Sequence, residues 1–257
     1  VKHVKHVKTA AVREATVRAL ALDAVEKDFA GVRAVRDVSL RVEAGEVVGL
    51  VGANGSGKTT LVNLASGAVP PSNGRVTVDG LDLTGAPSAR FSRAGVVRTY
   101  QALRLFEGLS VLDNVLVGAQ RCVRPSLAAS WLRLPAFRRQ EVALRDAAMA
   151  ALDEVGMAAF APRAVGALSH GQRRRVELAR AFAAEPAYLV LDEPGAGVDP
   201  DQLEGLIAMV RRRRESGAGV LLVEHDTRLV EELSDRVLKM ADGSIVADDA
   251  ARPEGGG

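Results

Sequence analysis

Val47-Val48-Gly49-Leu50-Val51 runs directly into Gly52-Ala53-Asn54-Gly55-Ser56-Gly57-Lys58-Thr59-Thr60. The first five residues are a continuous apolar run without alternation, the pattern of a strand buried on both faces of a parallel sheet. A glycine-rich stretch then opens a helical pattern over Thr59–Ala65. Its glycines let the backbone curl so that successive N–H groups point into one concavity, and the helix N-terminus adds about half a positive charge beneath it. Strand, loop and helix in that order are the context of a phosphate-binding loop. Lys58 can then reach the β- and γ-phosphates of a nucleoside triphosphate, and the Thr59 hydroxyl can ligate Mg²⁺. Lysine is a rare choice in this chain, which has 34 basic residues but only six lysines, three of them in the first eight positions. A compact ammonium fits a phosphate cradle that a planar guanidinium fork would crowd.

Two further buried runs, Tyr188–Leu191 and Val220–Val223, match the first and lie among helical patterns at Arg138–Val155, Gln172–Ala184 and Gln202–Arg213. Leu20–Val25, Val38–Val42 and Arg75–Val78 read as shorter strands, the last bounded by Ser72-Asn73-Gly74 and Asp79-Gly80 turn chemistry. The order describes an α/β domain with a mainly parallel core sheet and an antiparallel β lobe near the N-terminus. Between about Ala102 and Gly166 the strand signal gives way to helical text punctuated by Pro125, Pro135 and Pro162. This predicts an inserted α-helical subdomain within one domain spanning 19–257. Residues 1–18, opening on VKHVKHVK, read as a basic, disordered tail.

Composition narrows the class. Apolar residues at 47% supply a core and argue against disorder. The lone cysteine, Cys122, cannot close an intramolecular disulfide, and no Cys/His cluster has zinc spacing. The longest apolar runs, such as Val47–Ala53, fall short of the ~18–20 residues that cross a bilayer. Lys2, Lys5 and Lys8 imitate a signal-peptide start, but Arg13, Glu14 and Arg18 interrupt what would be its apolar core. A net charge of +2 provides no footprint for nucleic acid.

Two later stretches carry chemistry. Leu168-Ser169-His170-Gly171-Gln172 opens a helical run, so its serine and glycine form a second anion site on a different segment from the first. Arg173, Arg174 and Arg175 follow at once. They are either a solvated face or cations awaiting an anion at an already positive helix end. Tyr188-Leu189-Val190-Leu191-Asp192-Glu193-Pro194 delivers two carboxylates at the carboxyl end of a buried strand, where ligands bind in open α/β sheets. Adjacent strand side chains point opposite ways, so the pair divides its work.

Together these motifs, in this order, resemble the ATP-binding cassette family of ATPases, and the resemblance covers the chain from about Ala19. It implies a RecA-like P-loop NTPase core that hydrolyses ATP with Mg²⁺. Residues Gly52, Asn54, Gly55, Ser56, Gly57, Lys58, Thr59 and Thr60 would hold the phosphates. Mg²⁺ would be held by Thr59, Gln101 and, through water, Asp192. Glu193 would orient and polarise the attacking water, with His225 as the switch contacting the γ-phosphate and Gln101 sensing both metal and water. Phe29 matches the aromatic that stacks on adenine, and Asp199 the loop that runs across the dimer interface. Ser169, His170, Gly171 and Gln172 would meet the nucleotide of a second subunit, two cassettes sandwiching two ATP molecules head to tail. His170 stands where most signatures have glycine, a mark of a subfamily that tolerates tyrosine there. The end, Ala247–Gly257, is shorter than in that subfamily.

The stretch Val97–Phe106, then Leu109–Gly118 and the insert Ala119–Gln140, is similar to the ATPases of branched-chain amino acid importers. That likeness implies permease partners, a substrate-binding protein acting indirectly, and a place on the cytoplasmic face of the membrane. Urea or amide importers and the lipopolysaccharide exporter ATPase share much of the same text. Soluble cassettes of translation and DNA repair carry tandem cassettes or long coiled coils, which this chain lacks.

Overall fold

Strands β1 (Ala19–Phe29) and β2 (Val32–Glu43) turn on Ala30 and Gly31, both with positive φ, 44° and 88°. Two left-handed residues make the tight turn whose twist matches an antiparallel pair. The computed structural model describes residues 18–99, 105–120, 135–195, 200–225 and 227–250. β1 pairs on its other edge with β4 (Asn73–Val78), which pairs in turn with β5 (Leu81–Asp82), giving an antiparallel sheet ordered β2-β1-β4-β5. β1 runs well past the expected Leu20–Val25 because register shifts after Leu22 and after Val25 break its alternation without ending its ladder.

The second sheet holds β3 (Val47–Val51), β6 (Val96–Arg98), β7 (Tyr188–Asp192), β8 (Gly219–Val223), β9 (Arg236–Ala241) and β10 (Ser244–Ala250), ordered β10-β9-β3-β8-β7-β6. Every pairing in it is parallel except β9 with β10. Among the described residues the α-helices are α1 (Lys58–Ala65), α2 (Ser88–Arg93), α3 (Val111–Ala119), α4 (Pro135–Glu154), α5 (His170–Phe182), α6 (Pro200–Glu215) and α7 (Thr227–Leu233). The described residues between β6 and β7 hold helices, turns and irregular stretches with one isolated antiparallel bridge, Ser110 to Ala164, and α3, α4 and α5 pack on one another.

Strand alternation divides the parallel sheet between two cores. Val47, Leu189, Leu191, Val220 and Leu222 pack with residues of α3 to α7. Val48, Leu50, Val190, Leu221 and Val223 pack with α1 and the antiparallel lobe. That is why these strands read as unbroken apolar runs, each side chain adding about 1.5–3 kcal/mol by burial. Gly49 marks how closely α7 lies on β3, since a Cβ there would come within 2.3 Å of Val230 Cγ1. Tyr188 ties the two sheets, its hydroxyl donating to Asp79 Oδ1 in the β4–β5 turn. Burial, and then Asp79, push that phenol well above its ordinary pKa.

Arg211–Arg214 are only in part the solvated helix end that a charge run suggests. Arg213 lies over the Phe182 ring at 4.4 Å and pairs with Glu154, while Arg214 pairs with Asp235. The end of α6 is thereby fastened to α4, α5 and the start of β9. Among the described residues no helix is long and apolar enough to cross a membrane.

Candidate nucleotide site

The 52–60 loop leaves the carboxyl end of β3 and closes against the β lobe. A Cβ at Gly52 would stand 2.3 Å from the Met240 carbonyl oxygen, and one at Gly57 would stand 2.5 Å from that of Ala34. Gly57 also caps α1 with φ 106°, and no side chain caps this helix start, whose first N–H groups have no partner within the helix. Gly243, in the β9–β10 turn, donates to Ser56 O at 3.0 Å and accepts from Arg36 N at 2.8 Å, which fastens loop to lobe.

Inside the loop, Lys58 is buried and bends back so that Nζ donates to Gly52 O at 2.7 Å and Ala53 O at 3.0 Å. Burial pulls its pKa below the ordinary lysine value, and the charges of Glu193 and Asp192 oppose that pull. The Ser56 hydroxyl is buried with no hydrogen-bond partner, a costly arrangement that an acceptor in the loop would relieve. Asn54, Gly55 and Thr59 are exposed and Thr60 is half-buried. An uncapped helix start, a buried cation and an orphan hydroxyl around one concavity fit a phosphate chain. Among the described residues no cluster of three or more His, Cys, Asp or Glu could hold a metal alone. Thr59 and Asp192 fit Mg²⁺ in the form that keeps several waters and shares phosphate oxygens.

The two carboxylates meet different partners, Asp192 as the last residue of β7 and Glu193 in the left-handed turn just past it. Asp192 is buried and accepts through Oδ2 from Arg98 Nη2 at 2.8 Å. Arg98 also donates to Asn63 and Ser66 near the end of α1, so one buried guanidinium joins β6, β7 and the phosphate-loop helix. Glu193 takes a left-handed φ of 50°, and its Oε1 accepts from His225 Nε2 at 2.8 Å. A non-glycine residue held there costs about 1–3 kcal/mol and persists only where its surroundings over-determine it. Here Glu193 N donates to Val223 O, and its carbonyl accepts from Arg174.

Glu224 is a third acid that sequence reading did not single out. It is buried, and its Oε1 accepts from Gly195 N at 2.6 Å. Burial raises its carboxyl above the ordinary value, opposed by the bonds from Gly195 and His225. Neither Arg98 nor Glu224 was singled out from the sequence, and Arg174 stood there only as one of a charged run. The available signal was a charged residue at the end of an apolar strand for Arg98 and Glu224, and an Arg/Glu pair at helical i,i+3 spacing for Arg174 and Glu177.

Ser169 caps α5 and forms a capping box with Gln172, accepting from Gln172 N while Gln172 Oε1 accepts from Ser169 N. Ser169 and His170 are exposed, and Gly171 and Gln172 are half-buried. No hydrogen bond or ion pair among the described residues joins these four to the 52–60 loop. Of the arginines that follow, Arg173 and Arg174 have acid partners within the chain, while Arg175 Nε is buried without a hydrogen-bond partner. Arg174 pairs with Glu177 at 2.7 Å, and Arg173 bonds to Leu168 O, Gly166 O and Glu107. Arg173 and Arg174 are thus compensated from within the chain. Phe29 closes β1 at 44% exposure, with Lys27 Nζ 5.1 Å from the ring centre. Gln101 and Asp199 lie outside the described residues.

Comparison with known proteins agrees with this geometry. The ABC transporter family profile matches residues 35–196. The high-affinity branched-chain amino acid transport ATP-binding protein BraF of Pseudomonas aeruginosa is 40% identical over 86% of this chain and 87% of its own length. The lipopolysaccharide export system ATP-binding protein LptB of Escherichia coli is 36% identical over 86% of each. Among solved structures, the ADP conformation of the cassette MJ1267 superimposes with a TM-score of 0.78 at 31% identity, covering 91% of this chain and 92% of that one. With a RecA-like core, an antiparallel lobe and a phosphate loop in common, this chain belongs to the ABC transporter family as an ATP-binding subunit related to the BraF and LivG importer ATPases.

Proposed function

We propose that two copies of this cassette, or one copy and a paralogue, sandwich two Mg²⁺-bound ATP molecules and hydrolyse them to drive import of branched-chain or related amino acids. The observation that carries the hydrolytic reading is the pair Glu193 Oε1 and His225 Nε2, 2.8 Å apart at the carboxyl ends of β7 and β8. Both acids of the strand end lie close enough to Lys58 to act on its ionisation. In this reading Lys58 exchanges its two loop carbonyls for phosphate oxygens, and the N–H groups of residues 52–60 gather the rest. Thr59, Asp192 and Gln101 would hold Mg²⁺, which would supply charge neutralisation at the phosphates. Glu193 orients and polarises water for in-line attack, and His225 holds that carboxylate and meets the γ-phosphate. Phe29 covers adenine, Asp199 runs along the subunit interface, and Ser169, His170, Gly171 and Gln172 approach the nucleotide of the other subunit.

Relatedness to BraF and LivG supports amino acids as cargo, carried by permease subunits that would hold this chain at the cytoplasmic face of the membrane, with a substrate-binding protein acting further out. Glu193→Gln should lower turnover by ~10²–10⁴ and accumulate an ATP-bound dimer seen by sedimentation. Adding Ser169→Arg should return it to monomer. A Glu193→Gln protein that hydrolyses at the wild-type rate would refute the catalytic assignment. One that stays monomeric at saturating ATP, with and without its permeases, would refute the sandwich. Leucine uptake by reconstituted vesicles, lost with Glu193→Gln, tests the cargo.

A further inference from the structure

Arg174 sits in the second turn of α5, the helix capped by Ser169, and is 4% exposed. Its guanidinium reaches three consecutive carbonyls at the end of β7: Nη2 donates to Glu193 O at 2.7 Å and Asp192 O at 3.2 Å, and Nε to Pro194 O at 3.4 Å. Nη1 donates to Glu177 Oε2 at 2.7 Å, and Glu177 is itself 1% exposed. A buried ion pair is a poor device for stability, because apolar side chains of similar volume serve as well or better. This pair does something an apolar pair could not. Three successive carbonyls converge on one point only where the chain turns sharply, and the turn is at Glu193, with φ 50°. Released from Arg174, that residue would relax toward ordinary extended backbone. Its carboxylate would then swing away from His225.

We infer that Arg174, braced by Glu177, is a positioning residue for ATP hydrolysis: it holds the Glu193 backbone in the left-handed turn that aims the carboxylate at His225 and the attacking water. The inference rests on the proposed role of Glu193. It also joins the two halves of the site, since the helix whose start would meet one nucleotide carries the arm that sets the carboxylate acting on the other.

The test replaces the whole pair, Arg174→Met with Glu177→Leu, so that neither of these two buried charges is left facing an apolar partner. A displacement of about 1 Å at a reacting group costs on the order of 10²-fold in rate. The expected result is therefore a kcat about 10²-fold lower, with KM for ATP within about threefold and hydrogen exchange at the Glu193 and Gly195 amides accelerated. Arg174→Lys keeps the ion pair but offers one nitrogen to three carbonyls, and should restore part of the rate. A paired variant with kcat within about threefold of wild type would overturn the inference. So would parallel loss of kcat and nucleotide affinity, which marks general damage. If the paired variant does not fold, Arg174→Lys decides alone: about tenfold lower kcat at unchanged KM supports the inference, and wild-type kcat refutes it. Glu193→Gln is measured alongside; wild-type turnover there removes the parent reading instead of this one.

Discussion

Removing Arg98 should unfold the protein more readily and in a way that a second substitution repairs. The Arg98 side chain is 8% exposed and that of its partner Asp192 5%, so Arg98→Met leaves a carboxylate buried beside an apolar thioether. Breaking such a pair by removing one member costs about 3–5 kcal/mol. Asn63 loses a donor as well, about 1 kcal/mol net. Lys58 offsets part of this, because its charge acts on the same acid. A net loss of about 3 kcal/mol remains. At ~2–4 °C per kcal/mol for a domain of this size, the melting temperature should fall by about 6–12 °C. The assay is urea denaturation of the nucleotide-free wild type, Arg98→Met, Asp192→Asn and the double variant. In Arg98→Met/Asp192→Asn the stranded charge is gone, so the double variant should be more stable than Arg98→Met by at least about 1 kcal/mol. Single-variant stability within about 1 kcal/mol of wild type, or costs that simply add, would show that the contact is not a coupled buried pair.

Phe29→Ala should weaken ATP binding by about 1–3 kcal/mol, the magnitude of base stacking on an aromatic face, while Phe29→Tyr stays near wild type; equal affinities for all three, measured by calorimetry, would place the adenine elsewhere. For Glu224, burial raises the folded-state pKa above the ordinary 4.5, so the folded protein holds this proton more tightly than the unfolded chain does. Its contribution to stability is full below the ordinary value and is lost as pH rises through the raised one. Glu224→Gln removes that loss, so the variant should gain on wild type as pH rises from the ordinary carboxylate value through the raised one in parallel urea titrations. A constant difference, or one of opposite slope, would contradict the assignment.

Much of this protein is legible along the chain because its most telling contacts are local. The phosphate loop needs glycine at 52 and 57, lysine at 58 and a helix directly after a buried strand, and the one contiguous stretch from Val47 to Ala65 carries all of that. The central strands are equally plain, since a sheet covered on both faces demands apolar residues at every position. The helix start at Ser169 follows from its own capping box. What the sequence withholds depends on partners far apart in the chain. β9 hides because Arg236 and Lys239 interrupt its apolar text, and only the folded state sets Glu46 and Asp248 against Arg236. Arg98 meets Asp192 across 94 positions, and Glu224 meets Gly195 across 29. The left-handed turn at Glu193 is likewise invisible in a residue that ordinarily avoids it. Local sequence specifies where phosphate can bind, because backbone curl and helix polarity are properties of neighbours. Tertiary packing decides where the acids point, because a buried charge is oriented by whichever distant group compensates it.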